Sequence, residues 1–286
     1  MSDSTPPFLF GSYTLGPAMG DGDMGTVHKA QNVQTQEVVA LKVLDKVDTS
    51  REGLRGAAVE LIEFAASLSH PQLHPISQAV ESEDGQLGIV MPMATARSVN
   101  RYLVEGKTIP RASAVKVVTQ IASALHFLHE QEVAHGSVKP TNVLLDAQGN
   151  ATLSDLPMTH LRELGLIPKA PSLMQQFYMA PEVVYHASPE PQHDVFSLGV
   201  LAYHLFTGRI PFDDPEPLAR KKISPEGLPP ILVPVFLRAM TPRTRLRYPS
   251  IAAFMQDFQG AGNGRIDPET ERLFRLSDEP ESPDEP

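Results

Sequence analysis

His135-Gly136-Ser137-Val138-Lys139-Pro140-Thr141-Asn142, running into the apolar Val143-Leu144-Leu145, is the stretch on which the reading of this chain turns. A polar run closes on a short apolar segment that reads as a strand. The turn Asp146-Ala147-Gln148-Gly149-Asn150 then leads to a second strand at Ala151–Leu153. Two residues beyond that strand stands Asp155, in Leu153-Ser154-Asp155-Leu156-Pro157. The polar run holds one asparagine, one lysine and a serine. A serine hydroxyl is un-ionised at neutral pH and offers no negative charge with which to orient an incoming nucleophile.

Upstream the pattern is β-rich from Tyr13 to about Met93. Val38–Leu44 and Leu87–Met91 read as strands, and Arg51 to Ser69 reads as a helix ended by Ser69-His70-Pro71. Leu54, Ala58, Leu61, Ala65 and Leu68 give that helix its apolar face. Met19-Gly20-Asp21-Gly22-Asp23-Met24-Gly25-Thr26-Val27 contains G-x-G-x-x-G. Glycines let a backbone approach phosphates closely and aim N–H groups at them, although a plain glycine-rich hairpin reads the same way. Val39-Ala40-Leu41-Lys42 follows on the next strand, where apolar neighbours argue against a solvent-facing edge lysine. Downstream the signal is helical. Val115, Val118, Ile121, Ala122, Leu125 and Leu128 share a face of a helix over 112–129, and 194–207 is a second apolar helix stopped by Gly208. The Pro- and charge-rich segments 187–192 and 211–230 read as surface connections.

In this order and spacing the motifs resemble the protein Ser/Thr kinase family in its bacterial-type form, over roughly residues 13–260. The resemblance implies an α+β, two-lobed fold: a small β-rich lobe with one long helix (13–91), a hinge (92–95) and a larger, mainly helical lobe (96–260). A leader, 1–12, and an acidic, proline-containing tail, 261–286, flank it. That tail reads as mobile with one docking turn. The quoted stretch is similar to the catalytic loop His-Arg-Asp-Leu-Lys-Pro-x-Asn, in which the Asp accepts the substrate hydroxyl's proton and the Asn holds magnesium. Ser137 replaces that Asp and Gly136 the Arg, while Lys139 and Asn142 match. Asp155 stands for the metal-binding Asp of Asp-Phe-Gly, so Asn142 and Asp155 are the implied magnesium ligands. Pro157 in place of Gly fixes φ and predicts a segment locked at its start.

The resemblance further assigns Gly20, Gly22, Gly25, Val27, Ala40, Lys42, Met91, Pro92, Ala94 and Leu144 to the nucleotide site. Met91 is the gatekeeper, the Pro92 carbonyl an acceptor and the Ala94 N–H a donor for adenine; a methionine-lined core corner is the plainer alternative. Glu60 is the expected helix partner of Lys42, with Phe64 filling the apolar position a turn later. Glu63 is the second candidate, and counting back from His70-Pro71 lands on Leu61, which would leave the lysine without that partner. Asp21 and Asp23 would repel a triphosphate unless they face solvent or meet metal. Ala180-Pro181-Glu182, Asp194 and Arg247 match architectural positions, with Glu182–Arg247 a buried ion pair. Gln175 or a neighbour replaces the threonine of the substrate-facing loop.

Composition narrows the classes. The chain has 286 residues, 41% hydrophobic and 20% charged, with net charge −10 from 24 Lys+Arg against 34 Asp+Glu. Residues 261–286 hold three Arg and eight Asp+Glu, so the tail supplies −5 of it. Neither nucleic acid nor an anionic membrane is the expected partner. No cysteine is present, which excludes disulfides and thiolate chemistry and accords with a cytoplasmic protein. The expected function is that of a pseudokinase in signalling, which keeps ATP and Mg as cofactors but acts as a regulatory or scaffolding module with a protein partner. A weakly active Ser/Thr kinase and a nucleotide-independent interaction domain are the alternatives.

Overall fold

The computed structural model describes residues 9–22, 24–45, 53–94, 97–103, 108–165, 171–184, 188–213 and 223–277. Strands β1 (Leu9–Phe10), β2 (Tyr13–Gly22), β3 (Gly25–Asn32) and β4 (Val38–Leu44) precede α1 (Leu54–Ser67), β5 (Gln78–Glu81) and β6 (Leu87–Pro92). Then come β7 (Arg97–Ser98), α2 (Arg111–Glu130), β8 (Val143–Leu145), β9 (Ala151–Leu153) and α3 (Met158–Glu163). The last helices are α4 (Leu173–Gln176), α5 (Pro181–Val184), α6 (Pro191–Thr207), α7 (Val233–Ala239), α8 (Ile251–Ala261) and α9 (Pro268–Ser277). Contacts divide the chain into a unit of Met1–Arg97 with Leu153–Ser172 and a unit of Ser98–Thr152 with Leu173–Pro286. The first is β-rich with one long helix and the second mainly helical, the two-lobed α+β fold that the resemblance implies.

The first unit is an antiparallel sheet in the order β1-β2-β3-β4-β6-β5. β4 lies inside it, and the two-residue period of a strand sorts its side chains. Val39 and Leu41 join Phe10, Tyr13, Ala30 and Val90 on one face. Ala40 and Leu44 join Leu87, Ile89 and Met91 on the other, against Ala58 and Ile62 of α1. Lys42 has the same parity as Ala40 and is 2% exposed, so it is no edge lysine. Gly88 sits under Phe10, where a Cβ would stand 2.8 Å from the ring. β1 therefore pairs and packs within the stretch that composition marks as a loose leader, Leu9 opposite Thr14 and Phe10 opposite Tyr13. Residues 1–8 of that leader lie outside the described residues.

α1 starts at Leu54, and Phe64 on it is exposed. The buried positions are Ala58, Ile62 and Ala65, not Phe64. Two links tie the helix to β5: the ion pair Arg55–Glu81, and the Ala79 N–H donating to Glu63 Oε1 at 3.0 Å.

In the second unit α6 is buried along most of its length. Pro191 and Gln192, which composition assigns to a surface connection, instead open this helix; proline suits a first turn, where its missing N–H costs nothing. Gly208 ends it at φ 70°, and Gly199 lets α7 approach so closely that a Cβ would stand 2.8 Å from that of Ala239. α2 buries Ala114, Val117, Val118, Ile121, Ala122, Ala124, Leu125 and Leu128, while Val115 turns outward. In place of the mobile tail that composition suggests, 268–277 form α9. Thr270 on it is fully buried and donates to Asp257 Oδ2 at 2.5 Å, and Arg238 donates to Thr270 at 2.7 Å. The tail's 278–286 lie outside the described residues. Among the described residues no helix is long and apolar enough to cross a membrane.

Candidate active site

In the first unit the glycine-rich segment is the end of the β2–β3 hairpin, where Gly22 pairs with Gly25, and Val27 pairs with Lys42 of β4. Gly25 has φ 150°, and a Cβ there would stand 2.3 Å from the Val43 carbonyl oxygen, so only glycine fits. Gly20 has open space around it, whereas a Cβ on Gly22 would lie 3.6 Å from Lys42 Nζ. Asp21 is exposed and its Oδ1 accepts from the Thr26 hydroxyl at 2.9 Å; Asp23 lies outside the described residues.

Lys42 Nζ pairs with Asp155 Oδ2 at 2.7 Å. This corrects the expectation for Glu60, which is exposed, and for Glu63, whose carboxylate is engaged at β5. Leu61 packs half-buried against the α1-facing core, the arrangement in which the lysine has no partner on this helix. Asp155 takes φ 69°, a left-handed conformation that aspartate tolerates better than most residues. Pro157 follows as the N-cap of α3 at φ −77°, with the Leu161 N–H donating to its carbonyl at 2.9 Å. The segment begins in a turn at this proline, and no sequence pattern announces the helix after it. Met158 and Leu161 of α3 are fully buried with Met24, Leu44, Ala58, Ile62 and Met91.

The hinge residues close β6. Met91 is buried in that same core, Pro92 is exposed and Ala94 is half-buried; residue 95 lies outside the described residues. Ala40 opposes Met91 across the β4–β6 ladder. Sequence reasoning missed His74. Its N–H donates to the Leu153 carbonyl at 2.8 Å, and the Leu153 N–H donates to the Gln72 carbonyl at 2.8 Å. That pairing fixes the approach to Asp155, two residues on. Burial holds the His74 imidazole below its ordinary pKa, against the opposing pull of the Asp155 carboxylate and the Pro92 carbonyl. The cue was present as His74-Pro75 just after a helix end, but it has no motif.

In the second unit Ser137 is 4% exposed. Asn142 Nδ2 donates to its carbonyl at 2.9 Å and to its hydroxyl at 3.1 Å, and Gln175 Nε2 reaches that hydroxyl at 3.5 Å. Gln175 of α4 therefore meets the catalytic-loop position. Lys139 is buried, and Leu144 is half-buried on β8. The loop hangs on Asp194 of α6, whose oxygens accept the His135 N–H at 2.7 Å and the Gly136 N–H at 2.8 Å. His129 Nε2 lies 2.9 Å from the same carboxylate, so this histidine serves the scaffold. Gly136 sits at φ 69°, where glycine is unstrained. Full burial pushes the Asp194 carboxyl up, yet the His129 hydrogen bond and charge, His135 and the Gly136 N–H outweigh it and hold the pKa below the ordinary range.

Arg247 and Glu182 meet as expected, Nη1 to Oε1 at 2.7 Å, with Arg247 also donating to the Thr241 and Gln192 carbonyls. Burial raises the Glu182 carboxyl, but the Arg247 hydrogen bonds more than offset this and its pKa is lowered.

Chemically, the first unit carries a buried cation beside the Asp155 carboxylate, and the second a carboxamide, Asn142, next to a neutral hydroxyl at the acid–base position. Asn142 donates through Nδ2 to Ser137, while its Oδ1 accepts from the Thr141 hydroxyl at 3.4 Å. Carboxylate and carboxamide oxygens are donors that a hard cation such as magnesium takes, so Asp155 and Asn142 each carry oxygen chemistry that suits one.

The protein kinase domain family model matches residues 13–233. CBL-interacting serine/threonine-protein kinase 7 of Arabidopsis thaliana is 33% identical over 220 residues, 74% of this chain and 51% of that protein. The carbon catabolite-derepressing protein kinase of Candida tropicalis is 31% identical over 223 residues, 77% of this chain and 35% of that protein. The chain thus spans about half or less of these relatives' length. The crystal structure of the Mycobacterium tuberculosis PknI kinase domain superposes with TM-score 0.72 at 27% identity, covering 88% of this chain and 97% of that one.

Proposed function

The chain belongs to the protein kinase family, and from that premise we propose that it is a pseudokinase. In this reading it binds ATP with magnesium in the cytoplasm, transfers phosphate poorly or not at all, and works as a regulatory or scaffolding module for a protein partner. One observation carries the reading: the acid–base position holds Ser137, buried and hydrogen-bonded by Asn142 and Gln175. Loss of a positioned acid–base group costs ~10²–10⁴ in rate. Lys42 and the glycine-rich backbone would hold the phosphates, the Pro92 carbonyl and Ala94 N–H the base, and Asn142 with Asp155 the magnesium. Bound magnesium would neutralise phosphate charge.

Two measurements test this. Transfer of radiolabelled phosphate to protein substrates should stay ~10²-fold or more below ordinary kinase turnover; turnover in the common range sinks the reading. Thermal unfolding with millimolar MgATP should shift upward, because a ligand that binds only the native state stabilises it by about 2.7 kcal/mol at a hundredfold excess over Kd. No shift would favour a nucleotide-independent interaction domain.

A weakly active kinase is the second reading. Lys42, Asn142 and Asp155 keep the functional groups that position a phosphoryl group, and phosphoryl transfer relies heavily on positioning. The turnover of the unmodified chain separates the two, and Ser137→Asp asks whether the rest of the site is intact. A rise in turnover of ~10² or more would show that only the base is missing; no change would leave the pseudokinase reading standing.

A further inference from the structure

Met24 lies in the glycine-rich turn, where a residue next to a phosphate-binding backbone has no need of apolar company, yet it is 2% exposed. Its companions include Met158 and Leu161 of α3, both 0% exposed, with Leu44, Ala58 and Ile62. The Met24 carbonyl also accepts the Asp45 N–H at 3.2 Å. Beside it Gly22 passes over Lys42, and Lys42 is engaged by Asp155, from which α3 springs: the Met158 N–H donates to the Asp155 carbonyl at 3.3 Å. The turn, the lysine and α3 thus form one packed body, apolar at one end and ionic at the other. The groups that phosphates need, the lysine ammonium and the turn's approach to it, are engaged within that body.

We propose that Met24, Met158 and Leu161 form a clasp that holds the glycine-rich turn down on Lys42, so that ATP enters only when α3 releases the turn. This rests on the reading of the chain as a nucleotide binder. The clasp sets affinity through the fraction of molecules that are open, since the apparent Kd is the intrinsic Kd divided by that fraction. Pro157 favours the closed form by fixing φ at the start of α3. The buried Thr159 hydroxyl, with no hydrogen-bond partner among the described residues, works against it.

Titration calorimetry with MgATP on the full chain tests the proposal, using Met24→Ala and Leu161→Ala. Each variant should bind at least ~10-fold more tightly than the unmodified chain, and hydrogen exchange of amides 158–163 should quicken in both. Equal Kd values in all three proteins would overturn the clasp and leave nucleotide binding intact. Absence of binding in all three, with exchange quickened, would overturn the nucleotide reading and the clasp with it. A second arm leaves the apolar side chains of the core in place. Thr159→Val removes the buried hydroxyl that works against the closed form, so it should weaken MgATP binding by up to ~5-fold; unchanged or tighter binding overturns the proposal.

Discussion

The loop around Ser137 in the helical unit and the strand around Lys42 in the β-rich unit treat buried charge in opposite ways. Asp194 is committed to backbone: it fixes the His135 and Gly136 N–H groups and is itself held by His129. Glu182 and Arg247 likewise lock α5 to the segment before α8, with Arg247 reaching two carbonyls besides its carboxylate. Lys42 and Asp155 turn their charge on each other, and the apolar contacts of Met24, Met158 and Leu161 lie alongside. Charges tied to backbone in several directions build a scaffold. In the proposed clasp the Lys42–Asp155 pair is the latch that a competing anion and cation would open.

The contrast can be broken most forcefully at Arg247. Arg247→Ala leaves Glu182 partly buried without its cation and two carbonyls without their donor. We expect a loss of about 3–5 kcal/mol, read from urea unfolding; a loss below about 1 kcal/mol would mean that this pair is no scaffold at all.

A pH titration sharpens the same point in the helical unit. His204 is buried against Tyr178, Nδ1 to the hydroxyl at 2.6 Å, and burial lowers its pKa to about 4. Its unfolded value is near 6.5. The fold therefore favours the neutral ring: its contribution is complete above the unfolded pKa and is eroded as pH falls from about 6.5 towards 4. The full loss is about 3 kcal/mol. The thermal midpoint should drop across that interval, and the drop should shrink in His204→Gln; an identical pH profile would remove His204 as its cause.

The smallest effect belongs to the β-rich unit. Thr159→Val replaces a buried hydroxyl that has no partner among the described residues. Stability should rise by up to about 1 kcal/mol, seen as a higher thermal midpoint. A fall instead would show that the hydroxyl is satisfied and that α3 sits more firmly than the latch picture allows.

Much of the fold could be read from local pattern. The alternation in Val38–Leu44 and Leu87–Met91 points to β4 and β6, and the three-and-four spacing to α1, α2 and α6. The ordered motifs lead to Asp194, Glu182 and Arg247, because these residues do the same job wherever that loop is hung. The details of the candidate site were less legible. Lys42 meets Asp155 and not Glu60 because α1 presents Ala58, Ile62 and Ala65 inward and commits Glu63 to β5, a choice made by packing rather than by spacing. α3 is six residues long, too short for periodicity to declare it, and its stability comes from the core that Met158 and Leu161 enter. The resemblance puts Phe64 inside, whereas the helix turns Ile62 inward with Ala58 and Ala65 and leaves Phe64 exposed.

α9 carries a practical lesson for anyone shortening this chain. Thr270 plugs the Asp257 carboxylate, which also takes the Tyr248 hydroxyl and the Asp267 N–H. Ending the polypeptide at Ala261 would strip two of those three donors from an acid that is 3% exposed and bare the side of α7. A trimmed protein that expresses badly would then report a missing plug rather than an unstable kinase fold.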